Sequence, residues 1–337
     1  MSKTLKGLLA AACAAVVLIT MLSGCQMPLK RYSISYTDTF DTVTVFSAYC
    51  SSYDEFSEAA NAVHAELLRL HSVFDIYSET SSVYRLNSES KLESADKELI
   101  ELIWLGKEYY NLSGGKLNIA AGSLLRLWHQ ARAEDVLPNA DALIKAAEHI
   151  DISKVAISDD DIIISDPNLT LDFGALAKGY AADKAAEKAI ECGLTSFLLD
   201  LGGNIKAVGK KPDGECWTVG IKNPYVEGEA DSQILTAVKA TDVSVVTSGD
   251  YERFFEVDGK RYSHIIDPDT FYPAQLYRSV TVIAAESKIA DALSTSLFCM
   301  SLEDGKALAK SLDAQVMWVM ADGICEKTEG FIEYEKK

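Results

Sequence analysis

His264, Asp267 and Thr270 stand within one short stretch, Arg261-Tyr262-Ser263-His264-Ile265-Ile266-Asp267-Pro268-Asp269-Thr270. Polar side chains this close together can converge on a ligand, and a histidine among them can move protons. Upstream, residues 254–257 and 260–265 alternate around Asp258-Gly259, a dipeptide suited to the φ > 0 geometry of a two-residue hairpin turn. A β-hairpin therefore delivers His264 to its end, where Asp267-Pro268 breaks the strand. Asp291 and Thr295 are four apart on a predicted helix, so both leave one face and can offer hard oxygen ligands to a cation such as Mg²⁺. Gly174, Lys178 and Gly179 follow a strand-like segment at 169–173, with Asp172 near its end. A helix starting near Leu176 would point free N–H groups and a mobile positive charge at a phosphate. No serine or threonine follows Lys178, so this is not a P-loop, nor is it a dinucleotide fingerprint. Taken singly, each group serves structure as well as chemistry: a satisfied histidine, a capping aspartate, packing glycines.

Taken in order, the blocks point further. Ser248-Gly249-Asp250-Tyr251 and His264-Ile265-Ile266-Asp267-Pro268-Asp269-Thr270 are joined by Leu171-Asp172-Phe173-Gly174-Ala175-Leu176-Ala177-Lys178-Gly179-Tyr180-Ala181-Ala182-Asp183, Leu199-Asp200-Leu201-Gly202-Gly203-Asn204 and Ala290-Asp291-Ala292-Leu293-Ser294-Thr295. Together they resemble the ApbE family of FAD:protein FMN transferases over residues 40 to 300. The resemblance implies FAD as substrate, AMP as product, and FMN passed to a threonine or serine hydroxyl of a partner protein. It implies Mg²⁺ on Asp291, Thr295 and the carbonyl of Ala175. It places Phe40, Tyr77, Lys116, Leu117, Asn118, Asp172, Lys178, His264 and Ile266 against the flavin nucleotide. His264 and Asp291 are the implied catalytic pair. Expected acceptors carry a Ser/Thr-Gly-Ala-Thr-like segment, as redox-pump or electron-transfer subunits do. Two departures stand out: Phe40-Asp41-Thr42 replaces a methionine-glycine-threonine block, and Asn118 replaces an aspartate. Ser294 stands where some relatives have a further acid. A hydrolase releasing FMN and AMP, or a flavin-binding lipoprotein without catalysis, would use the same residues.

The ends of the chain add a location. Lys3 and Lys6 precede an uncharged run that closes on Leu22-Ser23-Gly24-Cys25. A basic front, a short apolar segment and this ending resemble a bacterial lipoprotein signal, implying removal of residues 1–24 and lipidation of Cys25. The apolar run falls short of the ~20 residues that cross a bilayer. The expected organisation is a signal at 1–24, a lipid-anchored tether at 25–35 and one catalytic unit at 36–337, on the extracytoplasmic face of the cell membrane. A formal charge of −18 opposes nucleic acid and anionic headgroups, so the lipid must anchor the protein and no nucleic-acid partner is expected. Seven cysteines at irregular spacing, without Cys-x-x-Cys, argue against a disulfide framework or a zinc site.

The elements that must hold these groups are legible as patterns. Phe56, Ala60, Val63, Leu67, Leu70 and Phe74 recur at helical spacing over 54–74, with His64 and His71 as bystanders on that helix. Further helices are expected at 95–112, 139–149 with Asn139 as N-cap, 176–192, 288–300 and 304–312. Strands are expected at 43–49, 162–165, 169–173, 197–201, 218–221, 234–239, 244–247, 280–284 and 316–320. Runs of strands with clustered helices indicate an α+β fold with mixed or antiparallel sheets.

Overall fold

A computed structural model describes residues 28–226 and 233–336. Residues 1–27, on which the expected signal and the expected lipidation of Cys25 fall, lie outside the described residues. The chain opens with β1 (Lys30–Thr39), β2 (Thr42–Cys50), α1 (Tyr53–Phe74), α2 (Ser82–Glu89), β3 (Lys91–Leu92), α3 (Lys97–Leu112), α4 (Gly122–Glu134) and α5 (Ala140–Ala147). The middle comprises β4 (Val155–Ser158), β5 (Asp161–Ile164), α6 (Ala177–Glu191), β6 (Phe197–Leu201), β7 (Asn204–Val208), β8 (Trp217–Lys222), β9 (Ile234–Ala240) and β10 (Val243–Gly249). The last part holds β11 (Phe254–Val257), β12 (Lys260–Ser263), β13 (Tyr277–Ala284), α7 (Ser287–Phe298), α8 (Leu302–Ser311), β14 (Gln315–Met320), β15 (Cys325–Lys327) and α9 (Phe331–Tyr334).

One eight-stranded sheet, ordered β1-β2-β6-β7-β10-β13-β14-β15, forms the centre, and every pairing in it is antiparallel. The α+β expectation therefore holds. Helices α1, α6 and α7 pack together on one face. The other face is covered by the β8–β9 hairpin, where Trp217, Val219 and Ile221 meet Val245, Ile283 and Val319. Helix α1 forms because its apolar stripe, Phe56, Ala60, Val63, Leu67, Leu70 and Phe74, is fully spent on the core. Each such Phe, Leu or Val contributes about 1.5–3 kcal/mol on burial. Ser52 starts that helix by accepting the N–H of Glu55 at 3.2 Å, and Asn139 starts α5 by accepting that of Ala142 at 3.1 Å.

Two expectations change. Residues 169–173 do not form a sheet strand; they make a single bridge, Ala121 to Thr170. Their backbone bonds go to a loop and a side chain instead: Asp172 N–H to Ile119 O, and Leu171 to both ends of the Asn87 amide. No β-α-β crossover exists here, because the segment lies outside the main sheet. Residues 30–35, expected in the tether, form the first half of β1 and pair with β2 from Lys30↔Cys50 onward.

Two tight turns meet at one end of the sheet. Phe40 and Asp41, both at φ 55°, close β1 onto β2. Gly202 and Gly203, at φ 59° and 89°, close β6 onto β7. A Cβ on Gly202 would stand 2.1 Å from Thr42 Oγ1, so glycine is needed for the turns to touch. Beside them, the β11–β12 hairpin turns at Asp258-Gly259, φ 52° and 73°, as the primed turn requires.

Candidate active site

The site gathers around the N-terminal turn of α6. Leu176, at its N-cap, supplies no side-chain bond, and Ala177 N–H turns back to Phe173 O at 2.8 Å. Gly179 N–H donates to Asp291 Oδ2 on α7 at 2.8 Å. The sequence places a phosphate at this helix end; the anion seated there is the Asp291 carboxylate itself. Helices α6 and α7 come this close only because Gly179 has no side chain. A Cβ there would lie 2.5 Å from Ser287 O and 2.6 Å from Asp291 Cβ. Asp183 locks the approach by accepting the N–H groups of Ser287 and Lys288 at the start of α7, and it pairs with Lys206 at 3.0 Å.

Asp291 is buried, and desolvation raises its pKa against the opposing pull of Lys178 and the Gly179 N–H. Asn204 on β7 lies close enough to favour the charged form, yet its Nδ2 reaches hydrogen-bond geometry with nothing. One turn along α7, the hydroxyl of the partly exposed Thr295 makes no hydrogen bond to any described residue. A buried carboxylate with no formal cationic partner beside an unused hydroxyl suits a hard cation, with Ala175 half-exposed in the loop before α6. Ser294 is sealed, hydrogen-bonding Ser248 at 2.8 Å and the Asp291 carbonyl at 3.0 Å, so it offers no second carboxylate. Among the described residues no three His, Cys, Asp or Glu side chains gather as a metal cluster. Any remaining ligands would come from substrate oxygens or water.

His264 follows the end of β12. Its backbone N–H reaches Arg253 O at 2.9 Å, and Nδ1 meets the same oxygen at 3.2 Å. In the tautomer that fits this contact, Nδ1–H donates and Nε2 keeps its lone pair. Burial, then the charges of Lys178, Arg253 and Arg132, hold the imidazole pKa down at about 3. The ring is therefore neutral at ordinary pH. Arg253 is itself fixed by a bond from Nη2 to Asp41 O at 2.9 Å, which brings the Phe40–Asp41 turn to the site. Tyr77, 68 % exposed, hydrogen-bonds His129 Nδ1 at 3.0 Å. Desolvation raises the Tyr77 pKa, and Asp172, Arg132, Asp41 and Arg253 all act on it. Desolvation likewise lowers the pKa of His129. Hydrogen bonds tie Tyr77 to His129, His264 to Arg253, Arg253 to the Phe40–Asp41 turn, and Asp291 to the first turn of α6, which carries Lys178.

A sequence profile of the ApbE family matches residues 32–319. The chain belongs to the ApbE family. A FAD:protein FMN transferase of Treponema pallidum is 32% identical over 299 residues, covering 83% of this chain and 82% of that protein. One from Vibrio cholerae is 28% identical over 331 residues, 95% of each. The ApbE protein from Thermotoga maritima superimposes with a TM-score of 0.83 at 28% identity, covering 91% of this chain and all of that one.

Of the ApbE positions read from the sequence, Tyr77, Asp172, Lys178, His264 and Asp291 lie at the site with Ala175 and Thr295 near Asp291, while Phe40 packs against His71 in the turn that Arg253 holds. Asp172 Oδ1 accepts the N–H of Gly174 at 2.8 Å, shaping the exit toward α6. Lys178 Nζ rests on Gly174 O at 3.3 Å, a long bond easily exchanged for a ligand. The other four positions are structurally committed. Lys116 is bound to Asp267 at 2.8 Å and Asp269 at 2.9 Å. The Leu117 side chain is core, and Ile266 packs in the cluster around Trp128. Asn118 spends Nδ2 on Ile150 O and Oδ1 on Ala120 N–H, so it supports the loop alongside Asp172 instead of presenting a free amide.

Sequence reasoning passed over Arg132, His129, Arg253 and Asn204. Asn204 lies inside a block already singled out, and Arg253 stands just before the expected hairpin. Arg132 and His129 sit on α4, whose sequence carries no marker of chemistry.

Proposed function

We propose that this chain transfers FMN from FAD to a serine or threonine hydroxyl of another polypeptide, releasing AMP, with Mg²⁺ required. What supports this reading is Arg253, whose carbonyl holds His264 and whose guanidinium holds the Phe40–Asp41 turn, together with Lys178 in the first turn of α6, in a chain whose formal charge is −18. A cationic focus in so acidic a protein matches a pyrophosphate, and charge stabilisation dominates transfer at phosphorus. Tyr77 offers a largely exposed ring for the isoalloxazine.

In the step itself the acceptor hydroxyl oxygen bonds to the phosphorus of the FMN half. The bond from that phosphorus to the bridging oxygen breaks, and AMP leaves with the oxygen. The hydroxyl proton passes to His264 Nε2, whose partner nitrogen is held by Arg253 O. The dianionic pyrophosphate offsets the three cations, raising the basicity of His264 once substrate is bound. Mg²⁺, held by Asp291, Thr295 and the Ala175 carbonyl, would neutralise pyrophosphate charge and orient it. Lys178 and Arg253 steady the leaving phosphate, and positioning supplies the remainder.

Incubation with FAD, Mg²⁺ and an acceptor domain carrying a Ser/Thr-Gly-Ala-Thr-like segment tests the reading. An acceptor mass gain of one FMN with stoichiometric AMP supports transfer. AMP and free FMN without labelling would make the protein a hydrolase, and neither product would make it a binding protein. The same reading places the mature chain on the membrane through lipid on Cys25. Cys25→Ser should leave it unprocessed or released, and unchanged fractionation would refute the anchor.

A further inference from the structure

Tyr77 stands in the irregular segment between α1 and α2, where its backbone N–H donates to Asp75 Oδ1 at 2.9 Å. Its ring is largely exposed and packs on no other ring among the described residues. An exposed tyrosine in a loop ordinarily turns between rotamers, and a ligand that stacks on it must stop that motion. This one is already held. Its hydroxyl lies 3.0 Å from His129 Nδ1, 52 residues further along the chain, and its side chain makes no other hydrogen bond to a described residue.

His129 rides on α4, whose buried face includes Leu124, Trp128 and Ala131. Trp128 stacks on Tyr262 of β12 at 6.0 Å, tilts against Phe255 of β11 at 6.3 Å and donates Nε1–H to Phe271 O at 2.9 Å. Those partners belong to the hairpin before His264 and to the turn after it. Consecutive positions on a helix diverge by about 100°, which lets Trp128 enter the core while His129 stays half-buried at its edge. Helix α4 is thus anchored through Trp128 to the segment that carries His264, and through the next residue it holds Tyr77. Two neighbouring side chains of one helix link the exposed ring to the histidine.

We propose that His129 is a positioning residue, which fixes the Tyr77 ring against the isoalloxazine at a set distance from His264. The role rests on the transferase reading, in which the ring faces the flavin and His264 faces the pyrophosphate. Stacking itself does not need the hydroxyl, so His129 acts through Tyr77 and touches no substrate. A ring ordered in advance spares the ligand the cost of ordering it.

Isothermal titration of the protein with FAD, and with AMP, which lacks the ring, separates this role from general support of the fold. His129→Leu should weaken FAD binding about fivefold to tenfold, the scale of one hydrogen bond, and leave AMP affinity unchanged. Tyr77→Phe keeps the ring and loses the hydroxyl at an exposed position; it should give the same selective loss, and it carries the test if His129→Leu fails to fold. The double variant should lose no more than either single one, because both remove the same bond. His129→Gln, whose amide can still bond the hydroxyl, should recover part of the loss. Unchanged FAD affinity in the folded variants, or an equal loss for FAD and AMP, would overturn the role of His129 alone. A parent protein that binds neither FAD nor AMP would overturn the transferase reading, and this role with it.

Discussion

The carboxylate of Asp291 accepts the backbone N–H of Gly179 at 2.8 Å, joining the expected metal ligand to the first turn of the helix that carries Lys178. That bond sets how the ligand can be removed cleanly. Asp291→Asn keeps an oxygen for Gly179 and removes the charge. It should lower Mg²⁺-dependent AMP release by at least about 10²-fold with little change in melting temperature. Turnover with unaltered Mg²⁺ dependence would place the metal elsewhere.

Gly179→Ala tests the close approach that makes the bond possible. A methyl 2.5 Å from Ser287 O must push α6 and α7 apart, at a cost of about 1–3 kcal/mol. Denaturant unfolding should record the loss, and activity should fall with it because Asp291 moves. A stable, active variant would contradict the geometry.

How much of this was legible in the sequence depends on the kind of signal. The stripe of α1 and the Asp258-Gly259 turn were readable because local backbone chemistry dictates them. Residues 169–173 read as a strand because apolar alternation marks half-buried extended chain, whether or not a sheet partner exists; Asn87 and Ile119 take the bonds instead. Helix α4 was not expected, although Leu124, Trp128 and Ala131 form one buried face of it, so His129 came to light only where folding sets it against Tyr77. Lys116 and Asn118 were legible as positions, but their bonds to Asp267 and Ile150 arise from long-range contacts.

Arg253 and Arg132 supply the cationic focus without belonging to the core. Arg253→Met or Arg132→Met should weaken FAD or AMP binding about tenfold each, the scale of a charge-assisted contact. The loss should grow smaller at high salt, because both groups are partly open to solvent. Isothermal titration at two ionic strengths checks both, and unaltered affinity would remove the arginines from the site.

His264 also leaves a signature on stability. Its folded pKa of about 3 lies below the ordinary 6.5, so the unfolded chain binds the extra proton. Stability from this group is complete above pH 6.5 and declines as pH falls toward 3. His264→Gln should flatten that decline, bringing the urea midpoints at pH 7 and pH 4.5 closer together than in the parent. An equal gap in both proteins would show that the ring is not held neutral.

The central claim is that His264 serves a transfer at phosphorus and not merely the end of a hairpin. Single-turnover AMP release, measured with FAD, Mg²⁺ and acceptor on folded parent and His264→Gln, reads it most directly. The account predicts a fall of about 10²–10⁴-fold with FAD affinity nearly unchanged. A rate per folded molecule equal to that of the parent would contradict it.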